Sequence, residues 1–432
     1  MTKLVEDIVQ QRFEELFGPE FGHGKPFDRA PLVEALTALD GPNVNLPPTF
    51  HVAGTNGKGS TIAFMRAVAE AAGLSVHAFT KPHLLKLNER FLVRGEIASD
   101  EMLIGAAERV HQLAPDLTQF DAQVAVALHL FDEHYARLVL LECGMGGRDD
   151  STNVVPWPTA SIITPIGLDH QDALGATLPE IAAHKAGILR RNSPAIVAHQ
   201  AEAAREVIEA EAERVGAPLF RKGVEWDAFA QKGRLIVQSE HRVLDLPLPW
   251  LQGQHQIDNA GLACAAFLAP GPFTISDDAF AAGVSNARWP ARLQPLTRGA
   301  FSAPIRAVGG EVWVDAGHNA DAAAALARAL NDMRARRGGE ATAIVGLRKR
   351  KDAAAFIGAI ARSVDRIIAV PLSEDHIAPQ QIASLAHQLD KHASTAPSLA
   401  DAMQNAAQLP APRVLICGSF LLAAEALAAE SA

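Results

Sequence analysis

A lysine set among glycines and followed by two hydroxyls carries the most chemistry of any stretch in this chain. Gly54-Thr55-Asn56-Gly57-Lys58-Gly59-Ser60-Thr61 follows a short apolar run, Thr49–Ala53. Glycines let backbone N–H groups close around phosphate oxygens, and a helix starting behind them adds the positive end of its dipole. Lys58 has the reach for the outer phosphates of a nucleoside triphosphate, and Ser60 or Thr61 can offer a hydroxyl to Mg²⁺. The spacing departs from the usual G-x-x-x-x-G-K-[ST]. Val52 stands where the first glycine would, and Gly59 separates Lys58 from Ser60. A plain glycine turn closing a βα connection is the alternative, and the lysine and hydroxyls favour phosphate over it.

Other side chains fit around such a ligand. Glu142 closes the apolar run Arg137–Cys143. Mg²⁺ prefers oxygen donors and keeps several waters, so Glu142 with the Ser60 hydroxyl is a natural pair. The competing reading of Glu142 is a strand-end carboxylate paired with Arg148 or a helix end. Gly144–Gly147 would let backbone approach a substrate closely. Gln256 and Asn259, three apart on an expected helix, share one face. The basic run Arg348–Lys351 is solvated surface on one reading and an attractor of polyanions on the other.

The elements that must position these groups are read from periodicity. Helices are expected over 4–17, Arg29–Leu39, Ile62–Ala72 and Glu202–Val215, and from Thr177 to about Ile188. Thr177-Leu178-Pro179-Glu180 is a capping box with proline in the first turn. Strands are expected at Thr49–Ala53, Ser75–Thr80, Arg137–Cys143, Ala160–Thr164 and Ala195–Ala198, and Lys222–Leu248 reads as hairpin-type β structure. The character changes near residue 290. Beyond it come strands at Val312–Asp315, Ala343–Val345, Arg366–Val370 and Arg413–Cys417. Helices are expected there at Ala320–Arg334, Asp352–Arg362, Pro379–Gln388 and Phe420–Ala429. Alternating buried strands and helices predict an α/β chain with a parallel-rich sheet in each half. Ligands in such sheets sit outside the carboxyl ends of strands. The glycine loop, Glu142 and the residues after Thr164 all fall at such ends.

Composition narrows the class. With 432 residues the chain exceeds what one core usually holds, so two domains are expected. A hydrophobic fraction of 48% and a charged fraction of 20% are ordinary for a soluble protein. A net charge of −10 argues against a general nucleic-acid or membrane-surface binder. The three cysteines, Cys143, Cys264 and Cys417, are far apart and lack metal-ligand spacing, which suits a reducing cytoplasm. No signal peptide and no membrane-spanning run is expected.

Taken together, the motifs resemble the folylpolyglutamate synthase / dihydrofolate synthase family of the Mur ligase superfamily. The resemblance rests on H-V-A-G-T-N-G-K-G-S-T (51–61), P-H-L…N-E-R (82–90), L-E-C-G-M-G-G-R-D-D-S-T-N (141–153), I-T-P-I-G-L-D-H (163–170), L-P-E-I-A-A-H-K-A-G-I (178–188), G-Q-H-Q-I-D-N-A (253–260) and W-P-A-R-L (289–293). D-A-G-H-N (315–319), K-D (351–352) and G-S (418–419) extend it. It implies a P-loop-type ATPase domain that also binds folate over 1–292 and a Rossmann-like glutamate-ligase domain over 293–432.

The resemblance also assigns roles. ATP falls to Gly54, Thr55, Asn56, Gly57, Lys58, Gly59, Ser60, Thr61, Gln256, Asn259, Arg292 and Asp315. Metal falls to Ser60, Glu142, His170 and, if carbamylated by CO₂, Lys185. Two Mg²⁺ sites and a monovalent cation are implied. A lone histidine is otherwise more often a satisfied polar residue than a ligand, and a lone lysine more often a solvated one. Pro82, His83, Phe120, Asp121, Arg148 and Asp150 would face folate; Phe120 as simple core packing stays open. Lys58, Lys185, Arg292 and His318 are the expected catalytic group. This chain departs from the family pattern at Lys81 (usually serine), Asp121 (glutamate), Asp149 (apolar), His184 (glutamate), Ala316-Gly317 (inverted) and Ala320 (proline).

The implied reaction is ATP-dependent amide ligation. A γ-phosphoryl group would prime a folate-type carboxylate, of dihydropteroate or tetrahydrofolate, and the amine of L-glutamate would displace phosphate. A Mur-type peptidoglycan ligase and a nucleotide-binding regulatory module are the alternatives. The folate-side loops, and a start without an extra nucleotide-sugar domain, argue against the first; a second metal site argues against the second. The enzyme is expected to act as a monomer on small molecules, with no nucleic acid and no membrane.

Overall fold

The structure, a computed structural model, describes residues 7–19, 28–336 and 339–431. Two compact units divide it. One runs to Trp250 and takes in Ile257–Arg288; the other holds Leu251–Gln256 and the chain from Trp289 onward.

The first unit is built on an eight-stranded sheet. Its strands are β1 (Thr49–Ala53), β2 (Val76–Phe79), β3 (Phe91–Val93), β4 (Glu96–Ile97), β5 (Leu138–Glu142), β6 (Ala160–Ile163), β7 (Ala195–Val197) and β8 (Leu219–Arg221), in the spatial order β4-β3-β2-β5-β1-β6-β7-β8. β3 pairs antiparallel with both β2 and β4, and the other pairings are parallel. β1, β5 and β6 are buried at every residue, the consequence of near-continuous apolar runs covered on both faces. Register places Val52 beside Glu142, and Ala53 beside Ile163. The glycine loop, Glu142 and Thr164 therefore leave the sheet side by side, at its carboxyl edge. A smaller antiparallel sheet follows, of β9 (Trp226–Gln231), β10 (Arg234–Ser239) and β11 (Val243–Pro247).

The second unit holds a six-stranded sheet of β12 (Gln294–Pro295), β13 (Glu311–Val314), β14 (Ala341–Val345), β15 (Arg366–Ala369), β16 (His392–Thr395) and β17 (Arg413–Cys417), in the order β12-β13-β17-β14-β15-β16. Only the short β12 runs antiparallel. Asp315 lies one residue past the end of β13, so it leaves the sheet rather than ending the strand.

Several sequence-based boundaries shift. The helix expected from Ile62 begins at Lys58, with Gly57 as its left-handed N-cap at φ 90°. The glycines and hydroxyls that read as loop are thus its first turn, and Thr61 N–H already bonds to the Gly57 carbonyl at 2.9 Å. The first helix starts at Ile8, capped by the Asp7 carboxylate; Leu4 lies outside the described residues. The capping box at Thr177 forms, and the helix it opens ends at Ala186 because Gly187 follows. Two helices, Asp100–Leu113 and Gln119–Glu133, were not anticipated, and the second carries Phe120 and Asp121. Among the described residues no helix is long and apolar enough to cross a membrane.

The helix behind the glycine loop is held by close backbone contact. It packs against Asp277–Asn286, where a Cβ on Gly283 would stand 2.5 Å from the Val68 Cα. Gly283→Ala should force the two helices apart and destabilise the protein by about 1–3 kcal/mol, read as a lower midpoint in denaturant unfolding.

Candidate active site

The glycine loop is fixed by contacts that allow no Cβ. Gly54 sits at φ 145°, and a Cβ there would lie 1.9 Å from the Thr164 Oγ1. A Cβ on Gly57 would lie 2.5 Å from the Asn259 Oδ1. Thr55 and Asn56 both donate their N–H to the Pro165 carbonyl, at 3.0 and 3.2 Å. Thr55 also exchanges hydrogen bonds with Gly167 through its hydroxyl, at 3.1 Å each. The loop is therefore braced from the segment after β6 and from the helix Gln254–Leu268, which carries Asn259 and the fully buried Gln256. Gly59 and Ser60 fall in the first helical turn, at the positive end of the helix dipole, which suits an anion.

Three charged groups crowd this loop. Lys58 Nζ bonds the carbonyls of Gly54 and Thr55 at 3.1 and 3.3 Å and stands 3.9 Å from Glu142. Glu142, 2% exposed, accepts the Lys81 N–H at 3.2 Å. Its partners are thus Lys58 and a backbone amide rather than Arg148. Lys185 is 4% exposed and donates to the Gly54 carbonyl at 2.8 Å. Burial, and secondly the nearby Lys58 charge, pull the Lys185 ammonium from its ordinary value of 10.5 down to about 7. Asp169 and Asp150 oppose that shift from nearby.

The donor set at the loop fits a hard divalent cation. The Glu142 carboxylate and the Ser60 hydroxyl are oxygen donors, and the Thr61 Oγ1 is buried without a partner among the described residues. No three His, Cys, Asp or Glu side chains among the described residues cluster tightly enough to hold a metal by themselves. A cation here would complete its shell with water or phosphate oxygens, as Mg²⁺ usually does. His170 is exposed, in a left-handed turn at φ 53° before the short helix Gln171–Leu174.

The residues expected to face folate fall into two groups. Phe120 lies in the first turn of its helix, with the Lys81 ammonium 4.4 Å from its ring centre. A Cβ on Gly144 would stand 2.4 Å from the Phe120 ring, so that glycine is required for the ring to reach the turn after β5. Asp121 ties Thr118 to Ser151, at 2.5 and 2.6 Å. Asp150 is spent on its own loop: it takes the Met145 N–H at 2.6 Å and the Thr152 N–H and hydroxyl at 3.0 and 2.6 Å. Arg148 is half-exposed, pairs with Asp149 at 2.9 Å and approaches His184 at 3.4 Å. His83 accepts from the buried Arg90 at 3.0 Å, beside the cis Lys81–Pro82 bond. Lys81, noted in the sequence as a departure from the family's serine, and Asp169, in the 163–170 motif, had no site role assigned from sequence; the structure places Lys81 over Phe120 and Asp169 near Lys185.

In the second unit, Arg292 sits between two left-handed residues, Ala291 at φ 52° and Leu293 at φ 42°. Its guanidinium bonds the Ala291 carbonyl at 2.8 Å and lies 5.5 Å from the Phe420 ring. His318 is also 5.5 Å from that ring and bonds the Ala316 carbonyl through Nδ1 at 3.0 Å. Asp315 uses one oxygen on the Gly317 N–H at 2.7 Å and the other on the Leu293 N–H at 2.8 Å, so it holds the Arg292 turn. The basic run is partly answered: Arg348 pairs with Glu374, and Lys349 with Asp375. Lys349, Lys351 and His376 line a shallow depression with Asp352 and Gln381.

Lys185 sets a pH dependence. Between about pH 7 and 10.5 the unfolded chain keeps the proton that the folded protein has released, so stability rises with pH across that window. Lys185→Met should remove this rise, measured as the change in unfolding free energy between about pH 7 and pH 9.

The chain matches the Mur ligase middle domain over residues 52–267 and the Mur ligase glutamate ligase domain over 304–420. It is 32% identical over 410 residues to the dihydrofolate synthase/folylpolyglutamate synthase of Escherichia coli, covering 92% of this chain and 90% of that one. The Bacillus subtilis protein of the same name is 35% identical over 305 residues, 65% of this chain and 67% of that one. Among solved structures, E. coli FolC in complex with DHPP and ADP superposes with a TM-score of 0.86 at 28% identity, over 99% of this chain and 98% of that one. The bifunctional enzyme of Yersinia pestis, complexed with AMPPNP and Mn, gives 0.86 at 29% identity over 100% of both chains. With its glycine loop, buried lysine and two α/β units accounted for, this chain belongs to the dihydrofolate synthase/folylpolyglutamate synthase family of Mur ligases.

Proposed function

We propose that this protein joins L-glutamate to a folate-type carboxylate, of dihydropteroate or a reduced folate, at the expense of ATP. The observation that carries the reading is the braced glycine loop with Lys58, Glu142 and Lys185 around it. Full-length likeness to enzymes solved with ADP, AMPPNP and DHPP supports it.

A carboxylate is a poor electrophile because oxide is its leaving group. Its oxygen attacks the γ-phosphorus of ATP, ADP departs, and an acyl phosphate results. The α-amine of glutamate then attacks the acyl carbon, phosphate leaves, and the amine proton is lost to give the amide. The loop amides and Lys58 hold the phosphates in place and oppose the charge that builds on them. Divalent metal, held through Ser60 and Glu142, would neutralise phosphate oxygens. Lys185 is neutral for a sizeable fraction of the time near pH 7, the form that adds CO₂; its carbamate would supply a carboxylate for a second metal. Phe120 would stack on the pteridine. In the second unit, Arg292 and His318 would serve the phosphoryl and glutamate side, and Lys351 would meet a glutamate carboxylate.

Purified protein with ATP and Mg²⁺ should release phosphate only when both glutamate and a pteroate substrate are present. Substrate labelled with ¹⁸O in its carboxylate should pass one label into the released phosphate, and unlabelled phosphate would exclude the acyl phosphate. Lys351→Ala should raise the KM for glutamate by roughly three- to tenfold, with the KM for ATP unchanged.

A further inference from the structure

One buried polar chain beneath the site is used by no step above. His51, on β1, is fully buried. Its Nε2 lies 2.9 Å from the Thr152 Oγ1 and 3.1 Å from the Cys143 Sγ. Its Nδ1 is buried with no partner among the described residues. Thr152 Oγ1 is 2.6 Å from the Asp150 Oδ1, and both Asp150 oxygens already accept backbone N–H groups, so the hydroxyl proton goes to Asp150. The hydroxyl must then accept from His51. That fixes the proton on Nε2, and the unpartnered Nδ1 carries only its lone pair. Burial first, and the Arg190 charge second, keep the ring neutral by lowering its pKa to about 3.

The far end of this chain is the turn that meets Phe120. Asp150 accepts the Met145 N–H through its other oxygen, and Gly144 presses against the Phe120 ring. We propose that His51 is a positioning residue: as the Nε2–H tautomer it holds Thr152, Thr152 orients Asp150, and Asp150 fixes the Gly144–Met145 turn where the pteridine end of the substrate binds. β1 runs from His51 directly into the phosphate loop, so one side chain sets the folate turn relative to the strand that carries the nucleotide loop. This rests on the ligase reading above.

Three single variants, the His51→Leu/Thr152→Val double variant and one spectrum test it. His51→Leu removes the donor, Thr152→Val removes the middle of the relay, and His51→Gln restores an N–H near the Nε2 position. Steady-state kinetics should show the KM for the pteroate substrate raised roughly tenfold in His51→Leu and Thr152→Val, with the KM for ATP within about twofold. His51→Gln should recover most of the loss. The double variant should be no worse than Thr152→Val alone, because both cut the same chain. Nitrogen NMR of histidine-labelled wild type, assigned by the signal missing in His51→Gln, should show a neutral Nε2–H ring. An Nδ1–H ring, equal rises in both KM values, additive losses, or no rescue by glutamine would each overturn the proposal. If His51→Leu does not fold, Thr152→Val and the wild-type spectrum still decide. Wild type without glutamate-dependent ATP turnover would instead overturn the ligase reading and leave the tautomer to be read by itself.

Discussion

The arrangement depends on backbone approaching more closely than any Cβ would permit. At the carboxyl edge of the main sheet this happens at Gly54 against Thr164, Gly57 against Asn259, and Gly144 against Phe120, among others. Another contact, Gly187 against Arg148, draws the Lys185 helix to the turn after β5. Each glycine lies where a loop from one strand must touch a neighbour, so the loops lock one another. The sheet makes this possible: β1 lies between β5 and β6 in parallel register, and three consecutive loops emerge on one line. Loops so braced present amides and side chains already in place, and a reaction that depends on positioning gains most from that.

Charge is the second constraint, and it follows from the first. Two lysines and one glutamate are drawn into a volume with little water. Lys58 is met by Glu142 and two carbonyls, and Lys185 by the Gly54 carbonyl. Neither lysine neutralises the other, so the more deeply buried of the two gives way and loses its proton more readily. A polyphosphate would relieve the imbalance around Lys58 without requiring the protein to rearrange. The buried lysine is thus the group whose state reports on the site, and its low affinity for protons comes from its surroundings rather than from its own chemistry.

Much of this was legible in the sequence because it depends on local chemistry. The glycine loop, the strand ending at Glu142 and the capping box at Thr177 are each written in a few adjacent residues. Their side-by-side placement follows from parallel topology. The unread parts are those in which tertiary contacts decide. Gly57 becomes an N-cap and draws Gly59, Ser60 and Thr61 into the helix because Asn259, two hundred residues away, fills the space a side chain would need. The helix carrying Phe120 has buried residues almost all round, so its periodicity is faint. The internal contacts of Asp150 and Asp315 were also hidden. Both carry a carboxylate in a motif, and both accept backbone amides through their two oxygens. Spacing shows that an acid is present and does not show what faces it.

The turn around Arg292 shows why such internal carboxylates matter. Ala291 and Leu293 both hold left-handed conformations that cost a residue with a Cβ about 1–2 kcal/mol each. Something must over-determine that turn. Asp315 takes the Leu293 N–H, the Ala291 carbonyl accepts both the Ala316 N–H and the Arg292 guanidinium, and Leu293 itself is fully buried. These contacts offset the strain and leave Arg292 as the one residue of the three whose side chain is not in the core. A strained backbone is worth holding where a side chain needs a direction that relaxed geometry does not give. In this unit that side chain is the arginine next to Phe420 and His318, and Asp315 holds the turn from which Arg292 projects.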